Sequence, residues 1–342
     1  MANQEPKRHH YIPQFILRNF NDDNGQVNYW DIEKEKLEKR NTRSVFMNFN
    51  MYRDEILNPD NPTMIESKFS AFECEIAELI SSKILNKSDI TLTRSELESL
   101  RIFTTLLSFR SNSRMEQYKD NRFNESTREI LKKYQPDGDF NGLWKRELDA
   151  LTTCRSYDDI EKSDVIDPII KHDFLNDIRG YYMTFVDARG GQFLLSDIYP
   201  TSEIFPTIFN GERVNHDMHY IFPLSPTRLL LLNHIMFKPK NENNPFFVQH
   251  LKLSKIKGEA IVPPKAKYIS YGSSDPKDEY FYKVRKIYAR DVEYINALLL
   301  NETKVGIIFR DEDRIIDSII SFDDRTDTKQ DFKKLEEILV TK

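Results

Sequence analysis

The sequence predicts an α+β protein with an N-terminal hairpin, a long helical middle, and a mainly β second half with a C-terminal helix. Apolar residues recur at helical spacing from about residue 62 to residue 179. From about residue 181 to residue 253, short runs of aromatic and branched residues are separated by Gly and Pro, which is typical of strands and turns. We expect three regions, residues 1–61, 62–179 and 180–342, packed together as one compact unit.

Composition and charge exclude several classes of protein. The 342 residues are 39% hydrophobic, which is enough apolar material for one large core or two smaller ones. No apolar run approaches the roughly 20 residues of a membrane span, and the polar first residues lack the apolar segment of a signal peptide, so we expect a cytoplasmic protein without a membrane partner. The net charge of −5 gives no general attraction to nucleic acid but allows a local basic groove.

The two cysteines are too few for a disulfide framework. Cys74 and Cys154 lie far apart and form no Cys-x-x-Cys pair, so a structural zinc site is disfavoured. We expect both to be buried, reduced thiols.

The individual elements follow from local patterns. Residues 26–40 alternate apolar and polar side chains after a turn-prone segment, which predicts a hairpin. Residues 62–85 have the period of one amphipathic helix. Thr93 and Glu96 have the spacing of a capping box, which predicts a second helical run to about Tyr134 with a break near residues 121–124. Further helices are predicted over 143–152, 158–178, 289–300 and 331–340, and strands over 181–186, 192–195, 219–222, 228–232, 247–253 and 305–309.

The most distinctive side chains lie near the N-terminus, where basic, imidazole and aromatic groups surround Pro13. In the functional interpretation, His10 is a general base or a metal ligand, and His-His-x-x-Pro echoes the start of HNH-type nucleases. The hairpin and ligand-bearing helix that should follow such a start are not evident. In the structural interpretation, His10 hydrogen-bonds to the backbone while its aromatic neighbours anchor the N-terminus.

Charged residues continue the inward face of the capped helix. Arg110 and Arg114 follow its apolar stripe at helical spacing, and Glu66 and Glu73 flank the stripe of the preceding helix. These groups could form a structural ion-pair network. Alternatively, the two arginines could bind phosphate at the base of a cleft, because the guanidinium fork matches phosphate oxygens.

A predicted strand ends at Ser196 and Asp197, shortly before Pro200. An acid at the end of a strand is a common general base or metal ligand, but Ser-Asp before a proline is also an ordinary turn. Both interpretations stay open. The chain lacks the motifs of P-loop nucleotide hydrolysis, Rossmann dinucleotide binding and serine hydrolases.

An ordered set of motifs resembles one bacterial family. The chain is similar to the domain-of-unknown-function family 4238, whose members open with His-Tyr-x-Pro-Gln-x-x-Leu-Arg-x-Phe. The same pattern stands here at His10, Tyr11, Pro13, Gln14, Leu17, Arg18 and Phe20. Further matches are residues 49–52, residues 65–67 with Glu73, the two arginines, the Ser-Asp pair, and residues 222–226 and 292–296. The family usually reads Ser-Asp-x-Pro, whereas this chain has one more residue before Pro200.

The resemblance implies a place among bacterial defence genes and leaves two hypotheses. In the first, the protein is a defence or toxin-type effector that cleaves RNA or DNA. His10, Glu66 and Asp197 are then the predicted catalytic residues. The predicted substrate-binding residues are Arg18, Arg110 and Arg114. Such a nuclease could use Mg²⁺ or Mn²⁺, although the sequence assigns no metal ligands and no certain cofactor.

In the second hypothesis, the protein is a noncatalytic sensor or partner-binding module of a phage-defence system, and the same polar residues are structural. Its partner would be a phage or defence-system protein. A solvent-open cleft lined by these side chains favours the first hypothesis, and dry, fully paired burial favours the second.

Overall fold

The computed structural model of the protein describes residues 8–56, 58–209, 211–238, 251–256, 258, 278–323 and 328–341. The chain divides into two units. Unit 1 contains the chain up to Pro13, Phe46–Ser82 and Thr93–Arg179, and unit 2 contains Gln14–Val45, Lys83–Leu92 and the chain from Gly180 onward. The predicted α+β class is confirmed, with N-terminal strands, a helical middle, a strand-rich second half and a C-terminal helix.

Helices occupy the middle of the chain and return near its end, where the apolar period predicts them. In chain order they are α1 (Gln14–Arg18), α2 (Met64–Lys83), α3 (Arg94–Phe109), α4 (Asn112–Lys119), α5 (Glu125–Tyr134), α6 (Phe140–Leu151), α7 (Tyr157–Lys162), α8 (Pro168–Arg179), α9 (Ala289–Glu302), α10 (Ile316–Asp323) and α11 (Lys333–Val340). Helices α1 and α10 have no counterpart among the predictions.

The predicted capping box starts α3. The Glu96 N–H donates to Thr93 Oγ1 (3.3 Å), and the Thr93 N–H donates to Glu96 Oε2 (2.9 Å). The helical run that follows is interrupted earlier than expected, because Ser111 Oγ accepts from the Arg114 N–H (3.3 Å) and thereby caps a new helix. The run therefore breaks after Phe109 as well as near residues 121–124.

The strands are β1 (Arg8–His10), β2 (Val27–Asp31), β3 (Lys36–Arg40), β4 (Met47–Phe49), β5 (Asp89–Thr93), β6 (Tyr181–Arg189), β7 (Leu195–Ser196), β8 (Thr201–Phe209), β9 (Glu212–Pro223), β10 (Arg228–His234), β11 (Glu279–Lys283), β12 (Arg285–Tyr288) and β13 (Gly306–Phe309). The predicted hairpin is β2–β3, in which Trp30 pairs with Leu37. In unit 1, β1 and β4 pair antiparallel, with His10 opposite Met47.

Unit 2 contains a five-stranded sheet in the order β12-β6-β10-β9-β8, a four-stranded sheet in the order β3-β2-β13-β7, and the pair β11-β5. Strand β12 runs parallel to β6, and the other pairings described in the two larger sheets are antiparallel. The strand predicted over 192–195 is reduced to β7. Residues 247–250 of another predicted strand lie outside the described residues, and Lys252–Lys255 forms a 3₁₀ helix instead.

Apolar residues of both large sheets and of α9–α11 form the core of unit 2. Leu229 and Leu231 from β10 pack with Ile307 and Phe309 from β13, and Ile295 from α9 joins the same cluster. All five are fully buried. Burial of alternate strand residues against a helix stripe is the dominant source of stability in such a fold.

The cysteines are both free, but only Cys154 is buried as expected. Burial raises the pKa of its thiol to about 11. The prediction for Cys74 is wrong, because this residue is exposed. It lies two positions from each of the buried residues Phe72 and Ile76, so its side chain projects from the opposite side of α2. Among the helices that the structure describes, none combines the length and the apolar composition that crossing a membrane requires.

Candidate functional site

The residues predicted from sequence are divided between the two units. His10, Glu66, Arg110 and Arg114 belong to unit 1. The other two, Arg18 and Asp197, belong to unit 2. Convergence of His10 with Asp197 stays a prediction.

Arg110 is the centre of a buried network in unit 1. It is 1% exposed, Nη1 donates to Glu73 Oε1 (2.6 Å), and Nη2 donates to the backbone carbonyl of His10 (2.5 Å). Its Cζ lies 4.2 Å from the centre of the Phe69 ring, a cation–π contact. Burial alone would lower the pKa of Arg110, but the surrounding ionisable groups, Glu73 among them, raise it above its ordinary value. Both terminal nitrogens of the guanidinium are therefore engaged by the fold.

Two residues that were not among the predicted site residues, His9 and Tyr52, complete this network. His9 is fully buried, and its Nδ1 accepts from the backbone N–H of Tyr52 (2.9 Å). The two rings stack nearly parallel, with centres 5.5 Å apart and 5° between their planes. The Tyr52 hydroxyl donates to the carbonyl of Arg110 (3.2 Å). The alternation of side chains along a strand could have indicated that His9 and His10 point to opposite sides of β1.

Glu66 is the acid with the most unusual environment in this network. Burial raises the pKa of its carboxyl to about 7; Arg110 opposes this shift and Glu73 adds to it. Its Oε2 is buried without a hydrogen-bond partner in the described part of the chain. A carboxyl that holds its proton near neutral pH can act as a general acid or base. The same state also arises wherever a carboxyl is buried beside another acid.

Arg114 does not take part in the predicted ion-pair network. Because Ser111 starts a new helix, Arg114 lies in the first turn of α4, where its Nη1 donates to Gln117 Oε1 (3.0 Å). The expectation that Arg110 and Arg114 continue one helix face is wrong, since the i+4 relation holds only along an unbroken helix.

Asp197 follows β7 in unit 2 and is 6% exposed. Its Oδ1 accepts from the backbone N–H groups of Lys304 (2.8 Å), Val305 (3.0 Å) and Gly306 (3.4 Å). Burial raises the pKa of this carboxyl, and the three hydrogen bonds oppose the shift. A side chain at Gly306 would collide with the carbonyl oxygen of Trp30. The carboxylate thus holds the turn between α9 and β13.

Arg18 ends α1 and is exposed. Its Nη2 donates weakly to Gln14 Oε1 (3.4 Å), one helical turn earlier. In the ranges that the structure describes, no group of three or more His, Cys, Asp or Glu side chains is arranged to hold a metal ion. The divalent metal considered from sequence stays a prediction.

Comparison with known proteins gives one match of wide extent. The family model for "Protein of unknown function (DUF4238)" matches residues 8–313, which include every site residue predicted above. No curated protein and no solved structure matches the chain. Because the match covers nearly the whole sequence, the chain belongs to this family of proteins of unknown function.

Proposed function

We propose that the protein is a noncatalytic recognition module, a sensor or partner-binding component of phage defence in the bacterial cytoplasm. The buried polar residues of its motifs, Arg110 and Asp197 above all, stabilise the two units, and recognition takes place elsewhere on the molecule. One observation carries the proposal: the central motif residues form their hydrogen bonds with groups of the fold itself. Arg110 joins Glu73 to the His10 carbonyl, and Asp197 holds three backbone N–H groups.

Burial strengthens this interpretation. A buried charge must have its partners within the fold, because water no longer solvates it. Arg110 and Asp197 are 1% and 6% exposed, so neither presents its charged group to a polymer substrate. A nuclease requires the opposite arrangement, in which acid, base and phosphate-binding groups face one solvent-open cleft.

An open cavity in unit 1 supports the same conclusion. It has a volume of about 550 Å³ and its lining includes Asn48, Asn112, Glu116 and Lys145. None of the six predicted site residues belongs to the lining that the structure describes for this cavity.

Glu66 favours a second candidate function, the nuclease. Its pKa of about 7 would let it exchange a proton near neutral pH, and its Oε2 is not engaged by another described group. In that case Glu66 would act as general acid or base beside His10, with RNA or DNA as substrate. One acid with a matched pKa is weaker support than the engaged hydrogen bonds of Arg110 and Asp197.

Nuclease assays and unfolding measurements on the same variants separate the two functions. We expect the wild-type protein to leave single-stranded and duplex RNA and DNA intact with Mg²⁺, Mn²⁺ or chelator. Replacing His10 by Ala removes a side chain that is 9% exposed and should lower the free energy of unfolding by about 1–3 kcal/mol. His172→Ala, which changes an exposed histidine of the same unit, should leave it unchanged.

The nuclease would be established by a different pattern. Wild-type cleavage that His10→Ala or Glu66→Gln reduces by about 10²–10⁴, with an unchanged melting midpoint, would overturn the proposed function. Loss of stability without any cleavage supports it.

A further inference from the structure

A basic cavity lies at the N-terminal end of α9 in unit 2. Its volume is about 400 Å³, within the roughly 300–1,000 Å³ of small-molecule sites. Five cations and one acid line it: Lys252, Lys255, Arg285, Lys286, Arg290 and Asp291. All six residues are exposed. This concentration of positive charge contrasts with the net charge of −5 for the whole chain.

The five cations form no ion pair with any acid in the described part of the chain. In the residues that the structure describes, none of them has an ion-pair or hydrogen-bond partner, whereas Arg189 and Lys329 in the same unit pair with Asp187 (2.8 Å) and Glu302 (2.5 Å). Unpaired cations around a concave surface focus a positive potential and attract anions. Two of the five are arginines, whose planar fork matches phosphate oxygens in a bidentate manner.

The walls of the cavity are partly apolar. Ile256, Ile287 and the ring of Tyr294 line it, and Lys252 Nζ lies 4.5 Å from the centre of that ring. The Tyr294 hydroxyl donates to Glu203 Oε1 (2.5 Å), and this hydrogen bond fixes the position of the ring. An aromatic ring beside cations offers a stacking surface for a base together with charge for its phosphates.

Three neighbouring residues, Gly258, Thr184 and Tyr288, contact or precede residues of the lining. A Cβ at Gly258 would lie 2.9 Å from Arg285 Cγ, so the glycine leaves room for the arginine stem. The Gly258 carbonyl accepts from Thr184 Oγ1 (2.6 Å). Tyr288, the N-cap of α9, forms no side-chain cap, which leaves the first N–H groups of the helix available to an anion beside the cations.

We propose that this basic cavity binds a nucleotide that carries two or more phosphate groups. The cations and the helix end would hold the phosphates, and Tyr294 with the two isoleucines would contact the base and sugar. The cavity size favours a single small ligand over a nucleic-acid duplex. This site goes beyond the proposed function, because it does not depend on whether the motif residues of unit 1 are structural.

Calorimetric titration of the full chain with adenosine, AMP, ADP, ATP, inorganic pyrophosphate and an eight-nucleotide single strand tests the proposal. Affinity should rise with the number of phosphates, fall with added salt and be absent for adenosine. The double variant Arg285→Glu with Arg290→Glu should bind ATP at least about tenfold more weakly. Tyr294→Ala should weaken the binding of ATP more than the binding of pyrophosphate. Tyr294→Phe, which keeps the ring, should weaken the binding of ATP less than Tyr294→Ala does.

The matched control reverses two exposed cations of unit 2 outside the cavity, Arg314→Glu with Lys333→Glu, and should bind ATP like the wild type. Both double variants must keep the wild-type melting midpoint. Absence of ATP binding, or equal binding by the two double variants, would overturn the proposal. If the single strand binds more tightly than ATP, the ligand is a nucleic-acid strand and the proposal of a nucleotide is overturned. None of these results depends on cleavage, so the test is separate from that of the proposed function.

Discussion

Arg110 in unit 1 and the arginines of the basic cavity in unit 2 carry the same charged group in opposite environments. Arg110 is buried, with both terminal nitrogens bonded to Glu73 and the His10 carbonyl. Arg285 and Arg290 are exposed and have no described ion-pair partner. A buried guanidinium has only the fold to accept its hydrogen bonds, and in Arg110 the two terminal nitrogens are bonded while Nε has no partner among the described residues. An exposed guanidinium keeps its donors for water or a ligand. Burial therefore distinguishes a structural cation from a binding cation better than the residue type does.

The largest effect that tests this comparison is expected at Arg110. Arg110→Ala leaves the half-buried Glu73 without its partner and the His10 carbonyl without a donor. Loss of one member of a buried pair typically costs about 3–5 kcal/mol, so the free energy of unfolding should fall by that amount. Chemical denaturation with urea measures it.

Arg114→Ala is the matched control, because this arginine also belongs to the family motif but its side chain hydrogen-bonds only to Gln117 among the residues described. It should change the free energy of unfolding by less than about 1 kcal/mol. Equal effects at Arg110 and Arg114 would contradict the distinction between the two environments.

The next effect concerns pH and Glu66. The folded protein keeps the Glu66 proton up to about pH 7, whereas an ordinary glutamate releases it near 4.5, so the free energy of unfolding falls as pH rises between these values. Glu66→Gln removes this fall and should be more stable than the wild type at pH 8, by on the order of 2–3 kcal/mol. At pH 4 the two proteins should differ little.

The pH profile of the wild type alone does not isolate Glu66, because burial also raises the pKa of Glu147 to about 8 and of Asp323 to about 6. Both of these groups also make the free energy of unfolding fall as pH rises. The effect of Glu66 is therefore measured as the difference between variant and wild type. Glu78→Gln, an exposed position on the same helix, provides the control and should follow the wild-type pH profile. A Glu66→Gln profile parallel to that of the wild type would mean that Glu66 is ionised in the folded protein at neutral pH.

The smallest effect distinguishes two changes at Asp197. Asp197→Ala leaves three backbone N–H groups without an acceptor and should cost about 1–3 kcal/mol. Asp197→Asn keeps an oxygen at the Oδ1 position and should cost less than about 1 kcal/mol. Thermal unfolding of the two variants measures the difference. Equal losses would show that the negative charge, and not the acceptor, holds this turn.

Local periodicity was sufficient for much of the fold. The hairpin β2–β3, the amphipathic helix α2, the capping box of α3 and the C-terminal helix depend on residues close together in sequence, and all four are confirmed. Strands β5 and β8 were not predicted, because Asp89–Thr93 is short and Thr201–Phe209 contains Pro206 and several polar residues. Strand β5 is a strand because it pairs with the distant β11, which no local pattern records. Strand β8 pairs with β9, the next strand along the chain, and its polar residues concealed that pairing.

The sequence by itself determined the fold class and most helices, because spacing along the chain decides which side chains share a face. It also singled out Arg110 and Asp197 as polar residues in unusual positions. Only the tertiary structure decided what those residues do. The partners of Arg110 lie 37 and 100 positions away, and those of Asp197 lie 107–109 positions away. The basic cavity is likewise assembled from a 3₁₀ helix, a strand and a helix end. Burial and long-range contact determine whether a charge stabilises the fold or meets a ligand, and neither property belongs to a single segment of sequence.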